Sequence, residues 1–492
     1  MPACPVNPAS EEVADFIHRE GSRSDSLSAL QEQILCQDFV SREYSIAYLP
    51  LAQARPISLE RYPYYSIPKL YALLDTSSME AAGILPVFRQ PALGNQGRGV
   101  LIGIIDTGID YQNPLFRNPD GTTRIAGIWD QTLPAPSEAD ALPPGVRDPS
   151  GRLLDIQYGT AFTSEQINEA LRRDNPLERV PSRDTDGHGT FLAGIAAGGE
   201  SPSGDFIGAA PKASIGMVKL KPAKQYLRDF FQIRDDAAAY QENDIMMGIK
   251  YLRLLSQETR MPLVICISLG TNSGSHEGTS PLGYTLQSSS QYIGIITVAA
   301  AGNEAGLAHH YFGTIPGGQP YEDVEIRAAE GERGFTAEFW SDVTDLYTIG
   351  FVSPSGETIS RIPLNLGKES RISFLLEPTV IHVSYLPNEA GSGRQLIFFR
   401  FENPAAGIWR IRVYNSLSLN GRYHIWLPVQ GFSSPDTIFL RPDPNTTITN
   451  PGNTLFPITV STYDHRDGGI YIHSSRGFTI NNQIKPDIAA PG

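Results

Sequence analysis

Three short segments carry side chains able to do chemistry together: GIIDTGID at 103–110, DTDGHGTFLAGIAAG at 184–198 and TVAAAGNEA at 297–305. Asp106 closes an apolar run, His188 stands between two glycines, and Asn303 follows Ala300, Ala301 and Gly302. A carboxylate beside an imidazole holds its tautomer and stabilises the imidazolium formed when the ring takes a proton. An asparagine amide fixed at a strand end can donate to the oxyanion of a tetrahedral intermediate. The combination points to acyl transfer with an imidazole base. Asp-Thr-Gly also marks enzymes that work with two carboxylates as a dyad, but that chemistry needs a second such carboxylate, and a single DTG occurs in the chain.

The surrounding pattern says how these residues are positioned. VLIGIIDTGI reads as a fully buried parallel strand, which places Asp106 at its carboxyl end. GHGTFLAGIAAG, ASIGMVKL, NDIMMGIKYLRLLSQ, PLVICISLG and IGIITVAAAGN continue an alternation of strands and helices. That alternation predicts an α/β fold with an open parallel sheet, whose sites lie beyond the carboxyl ends of its strands. Asp106, Ser268 and Asn303 all fall at such ends.

Between 318 and 430 the pattern becomes VEIRAAE, FTAEFWS, YTIGFVS, RISFLLE, VIHVSYL, QLIFFRF, WRIRVYN and YHIWLPV, which predicts an inserted all-β sandwich. Before the sheet, SEEVADFIHRE and DSLSALQEQILC have helical spacing, YSIAYLPL and KLYALLD read as strands, TSSMEAAGI as helix and LPVF as extended. PALGNQGRG at 91–99 reads as a linker. The expected units are 1–95, a small α+β unit; 96–317, the first part of the α/β domain; 318–430, the sandwich; and 431–492, the second part of the α/β domain.

A length of 492 residues accommodates about two to four domains, and 40% hydrophobic with 19% charged residues is an ordinary globular balance. A net charge of -14 argues against a dedicated nucleic-acid surface. No apolar run is long enough to span a membrane, and MPACPVNPASEEVADF lacks the features of a signal peptide, so a cytoplasmic protein is expected. Cys4, Cys36 and Cys266 match no metal-binding spacing and fit a reducing compartment, with Cys266 a small buried hydrophobe in LVICISL.

The three segments, in this order, resemble the aspartate, histidine and oxyanion-asparagine motifs of the subtilase family of serine proteases. The resemblance implies a subtilisin-like fold and an endopeptidase in which Asp106 orients, His188 acts as general base and then general acid, and Asn303 stabilises the oxyanion. It implies that Ser268, Leu269 and Gly270 pair with the backbone of a protein or peptide substrate, with Ala300, Ala301 and Gly302 lining the adjacent pocket.

In that family the nucleophile follows a KPDIAAPG-like segment, which here occupies 485–492. The serine is therefore expected beyond Gly492, and the chain alone is expected to be nearly inactive. Ser280 in HEGTSPLG precedes Asn303 and lacks the small-residue run of a nucleophile helix, so it reads as a loop residue, while Ser474 and Ser475 in IHSSRGF read as cleft or turn residues.

The layout further resembles the Csp-like subgroup of clostridial subtilases, with a prodomain and an inserted jelly roll. This implies that residues of about 40 to 95 act as an autoprocessed folding aid and inhibitor with their tail in the cleft, and it suggests a spore-associated role. No cofactor is required by the chemistry, and no DxDxDG-type loop marks a calcium site, so a structural metal stays open. The competing reading is a subtilase-like regulator that keeps the cleft without hydrolysis.

Overall fold

The computed structural model describes residues 4–19, 34–41, 43–73, 94–134, 156, 158–201, 206–315, 319–417 and 419–491. The strand Leu101–Asp106 is buried at every position and pairs in parallel on both sides, with Leu263–Ile267 and Ser214–Lys219. A strand walled in on both faces has no use for polar alternation, which is why its sequence is continuously apolar until the aspartate. A Cβ at Gly103 would lie 2.6 Å from Leu252 Cδ1, so the helix Glu242–Thr259 presses directly on this strand.

Among the described residues the sheet has eight strands, in the order Ile488–Pro491, Ile458–Tyr463, Ile295–Ala300, Leu263–Ile267, Leu101–Asp106, Ser214–Lys219, Ile125–Asp130 and Thr160–Thr163. All neighbours are parallel except the last pair, which is antiparallel. This is the α/β arrangement with a mostly parallel sheet expected from the alternating pattern, and it fits the subtilisin-like fold that the motif resemblance implies.

The sandwich consists of a six-stranded and a five-stranded sheet whose strands run from His310 to Phe439. Phe335, Phe339, Phe399, Phe401 and Trp409 fill its core, with Phe335 and Phe401 stacked at 4.6 Å. The outer face of the six-stranded sheet is also buried. Trp340, Phe398 and Trp426 join Phe16 and Tyr62 of the N-terminal unit and Phe230 of the helix Gln225–Phe230 in one apolar cluster. The insertion is thus packed against both other units rather than tethered to one.

Two expectations for the N-terminal unit are corrected. SEEVADFIHRE does not form a helix: Val13–Arg19 is a strand, paired antiparallel along its length with Tyr44–Pro50, which also pairs with Cys36–Phe39. Val13 to Ile17 are all buried, and burial of five consecutive residues suits a two-sided sheet better than one helical face. Cys4 and Cys36 are joined in a disulfide, with their Cα atoms 5.3 Å apart, which removes the argument for a reducing compartment. Most of the second expected helix, DSLSALQEQILC, and all of TSSMEAAGI and LPVF lie outside the described residues.

A pair of buried histidines makes stability depend on pH. His310 Nε2 and His424 Nδ1 lie 2.9 Å apart, so one ring must donate and the other accept, which two imidazolium ions cannot do. Burial lowers His310 from 6.5 to about 4, and burial followed by repulsion from His310 and His276 holds His424 well below its ordinary value. A group depressed in the native state stabilises the fold above its unfolded value and loses that contribution as pH falls through the native one. Stability should therefore decline between about pH 6.5 and pH 4, with a slope approaching ~1.4 kcal/mol per pH unit for each histidine. Urea midpoints that stay constant across this window would contradict the assignment.

Candidate active site

Asp106 is fully buried at the carboxyl end of its strand, and all its partners are donors. Its Oδ1 accepts the Thr107 N–H at 2.8 Å and faces His188 Nδ1 at 2.7 Å, while its Oδ2 accepts the Ser268 hydroxyl at 2.9 Å. A carboxylate so placed fixes the proton of His188 on Nδ1 and leaves the basic lone pair on Nε2. No second carboxylate is among these partners, so the geometry is that of an orienting aspartate rather than a dyad.

His188 is the first residue of the helix His188–Ala197, and Gly187 before it has a φ of 97°. A loop carboxylate missed in the sequence reading holds this turn. Asp184 accepts the Gly187 N–H at 2.9 Å, the Thr190 N–H at 2.8 Å and the Thr190 hydroxyl at 2.6 Å, and takes the Thr107 hydroxyl at 2.9 Å. Thr107 Oγ1 in turn accepts the Gly189 N–H at 2.9 Å. Burial acts to raise Asp184, but the bonds from Thr190, Gly187 and Thr107 outweigh it and hold the carboxyl below its ordinary value. Asp184 and Thr107 therefore tie the histidine turn to the aspartate turn. The available signal was an Asp placed before a Gly-rich helix start, a position where carboxylates cap free N–H groups.

Close approach of the two turns depends on Gly189. A Cβ there would stand 2.2 Å from the Gly108 carbonyl oxygen and 3.2 Å from Asp106 Cβ. Gly189→Ala should push the helix off the aspartate turn, costing about 1–3 kcal/mol of stability through overpacking. Thermal denaturation checks the first effect. A crystal structure of the variant should show the His188–Asp106 contact lengthened; an unchanged contact would refute the steric account.

The cleft beside these residues has two strand walls. Leu269 and Gly270 pair antiparallel with Leu73 and Ala72, while Tyr240 and Gln241 pair antiparallel with Tyr71 and Leu70. The stretch Leu70–Leu73 of the N-terminal unit thus lies between them as a middle strand. The second wall, Tyr240–Gln241, was not anticipated, because two residues in AAAYQEND give no periodic signal. The Ser268 hydroxyl is bonded to Asp106, and its backbone, expected to pair with substrate, leads directly into the Leu269–Gly270 wall.

The Ala300–Gly302 segment is held from behind. Ala301 donates its N–H to the Val460 carbonyl at 2.8 Å, and its own carbonyl accepts the Thr449 N–H at 2.9 Å. Gly302 has a φ of 103°, and a Cβ there would meet Thr449 Cγ2 at 2.6 Å. Asn303 follows at the carboxyl edge of the sheet and is partly exposed.

Ser280, Ser474 and Ser475 are engaged in structural bonds. Ser280 caps the helix Pro281–Ser290 by accepting the Gly283 N–H and donates to Asn450 Oδ1. Ser474 and Ser475 accept the N–H groups of Thr462 and Glu304. Cys266 is a free thiol pushed up to about 11, by burial first and by the Asp106 carboxylate second. Among the described residues no group of three or more histidine, cysteine or acidic side chains is placed to hold a metal ion, and no helix is long and apolar enough to cross a membrane.

Comparison with known proteins agrees with this geometry. The profile of the subtilase family matches residues 97–349, just over half of the chain. Subtilisin-like protease SBT3.10 of Arabidopsis thaliana is 25% identical over 475 residues, covering 91% of this chain and 57% of that protein. Subtilisin-like protease SBT3.6 of the same plant is 27% identical over 215 residues, covering 41% of this chain and 26% of that protein. The chain therefore spans between about a quarter and three fifths of these relatives. The solved structure of the Clostridium perfringens CspB protease superposes with a TM-score of 0.71 at 30% identity, over 84% of this chain and 78% of that one. With the family profile laid over the segments that bring Asp106, His188 and Asn303 to one edge of the sheet, the chain belongs to the subtilase family.

Proposed function

We propose that the chain supplies the aspartate, the histidine and the oxyanion donor of a serine endopeptidase acting on protein or peptide substrates. The observation that carries this reading is the 2.7 Å contact between His188 Nδ1 and a buried Asp106 that accepts from three sides. In the proposed cycle His188 takes the proton of a serine hydroxyl as it attacks the scissile carbonyl and returns it to the leaving amine. Asp106 stabilises the intervening imidazolium, and the Asn303 amide donates to the oxyanion. The substrate backbone would add a strand between Leu269–Gly270 and Tyr240–Gln241, with Ala300, Ala301 and Gly302 beside its side chain. No step uses a cofactor.

In this reading the serine nucleophile is carried by a further element packed on the sheet. An open sheet face supports it: Ile296, Ile458 and Ile488 lie on the same side of three adjacent parallel strands and are 49%, 38% and 54% exposed. A contiguous apolar face of this kind favours cover by a further element. The N-terminal unit is read as a prodomain that occupies the cleft in the manner of a product, and the antiparallel pairing of Leu70–Leu73 supports that role. A spore-associated role and a cytoplasmic location rest on sequence resemblance and composition and enter no step of the mechanism.

The test is to treat the full-length protein with a fluorophosphonate probe and with a fluorogenic peptide library. Labelling of one serine, abolished in His188→Ala, together with peptide hydrolysis, is the expected result. A folded full-length protein that binds peptides yet takes no label would replace the protease reading with that of a non-hydrolytic regulator.

A further inference from the structure

Glu338 lies within the strand Gly334–Ser341 of the six-stranded sheet and is 3% exposed, yet two of its three partners come from outside the sandwich. Its Oε1 accepts the Tyr64 hydroxyl of the N-terminal unit at 2.7 Å. Its Oε2 accepts the Gly274 N–H at 2.9 Å and Trp340 Nε1–H at 3.0 Å. Gly274 belongs to the segment that leaves the cleft strand Leu269–Gly270. The cross-strand neighbour of Glu338 is Trp426, whose ring stacks on His276 of that same segment at 3.9 Å and 7°. Two sandwich side chains in register therefore hold the cleft segment at positions 274 and 276.

A buried carboxyl is costly unless its lone pairs are used, and burial does raise Glu338 above its ordinary value. The sandwich's own core does not need it. Phe335, Ala337 and Phe339 face that core, whereas Glu338 faces the junction of the three units. We propose that Glu338 is a positioning residue of the substrate cleft, through which the sandwich couples the seating of the N-terminal unit to the geometry of the cleft strand. The functional weight of this coupling rests on the protease reading above.

The bonds require acceptor geometry and not charge. In Glu338→Gln the amide oxygen can take both N–H groups, and the amide nitrogen can donate to the Tyr64 oxygen. In Glu338→Ala all three donors lose their acceptor. A small cavity of about 20 Å³, lined by Tyr64, Lys69, Gly274, Trp340 and Glu389 among others, adjoins these bonds.

Hydrogen exchange on the full chain, read by mass spectrometry, tests the coupling. Glu338→Ala should accelerate exchange about tenfold or more in peptides covering 271–277 and 60–69, with Leu101–Asp106 unchanged. Glu338→Gln should stay within about twofold of the parent. Tyr64→Phe, which alters only the N-terminal unit, should accelerate 271–277 by about threefold or more. Exchange at 271–277 that ignores Tyr64→Phe, or a Gln variant about tenfold looser than the parent there, would overturn the proposal, and both tests stand even if the Ala variant does not fold. Peptide hydrolysis by the full-length protein is scored separately. Hydrolysis without coupling sinks the role of Glu338 alone, and coupling without hydrolysis upholds that role and removes only the protease reading.

Discussion

Asp106→Ala in the full-length protein is expected to lower kcat by about 10⁴-fold, the scale seen when a triad loses its orienting carboxylate. The loss has two parts: the imidazolium formed in the transition state loses its counter-charge, and His188 loses the acceptor that keeps its proton on Nδ1. Asp106→Asn should separate them. Oδ1 takes both the Thr107 N–H and His188 Nδ1, whereas Oδ2 takes only a hydroxyl, which can accept as readily as donate. The amide oxygen therefore belongs at the Oδ1 position and the amide nitrogen facing Ser268, an arrangement that retains the productive tautomer. The Asn variant should keep measurably more activity than the Ala variant, with circular dichroism unchanged in both. Activity within about tenfold of the parent in Asp106→Ala would remove Asp106 from the mechanism.

The part of this site that was legible in the sequence is the part whose chemistry forces residue type and local packing at once. Asp106 could be placed because a two-sided buried strand must be apolar up to the residue that ends it. His188 could be placed because a Cβ at position 189 would stand 2.2 Å from the Gly108 carbonyl oxygen, so only glycine fits there, which leaves its mark as His-Gly. Asp184 and Thr107 were missed because their work is hydrogen bonding across a long loop, and a bonded surface Asp and a solvated one look alike in sequence. Tyr240–Gln241 was missed because a strand of two residues has no period.

The N-terminal strand Val13–Arg19 was misread for a related reason. Its buried neighbours are supplied by partners distant in sequence, and short apolar runs fit either helix or strand until those partners are known. The sandwich was recognisable from strand composition, but its role as a junction was not. Trp340, Phe398 and Trp426 alternate as any sandwich residue would, and only the third dimension shows that their face is covered by the other two units.

Asp15→Ala should destabilise the chain by about 3–5 kcal/mol, the cost of leaving a buried charge without its partner. Asp15 and Lys224 are each 1% exposed, and the Lys224 ammonium stands 2.9 Å from Asp15 Oδ1 while also donating to the Pro8 and Val13 carbonyls at 2.7 and 2.8 Å. Burial pulls Lys224 below its ordinary value and the Asp15 charge pulls it back, so removing the carboxylate leaves desolvation unopposed by its main partner. The double variant Asp15→Leu with Lys224→Met should recover part of the loss, since no unpaired charge remains. Recovery should be incomplete, because the two carbonyls then lack their donor. Urea unfolding of the parent and the two variants measures all of these differences, and an Asp15→Ala loss under about 1 kcal/mol would show the pair to be solvated. The second oxygen of Asp15 extends the effect to the cleft. It accepts Gln241 Nε2–H at 2.9 Å, and Gln241 is the residue whose backbone pairs with Leu70. In Asp15→Ala, amide exchange at Tyr240–Gln241 should therefore rise together with that of Val13–Arg19, loosening the second cleft wall and the N-terminal strand as one unit.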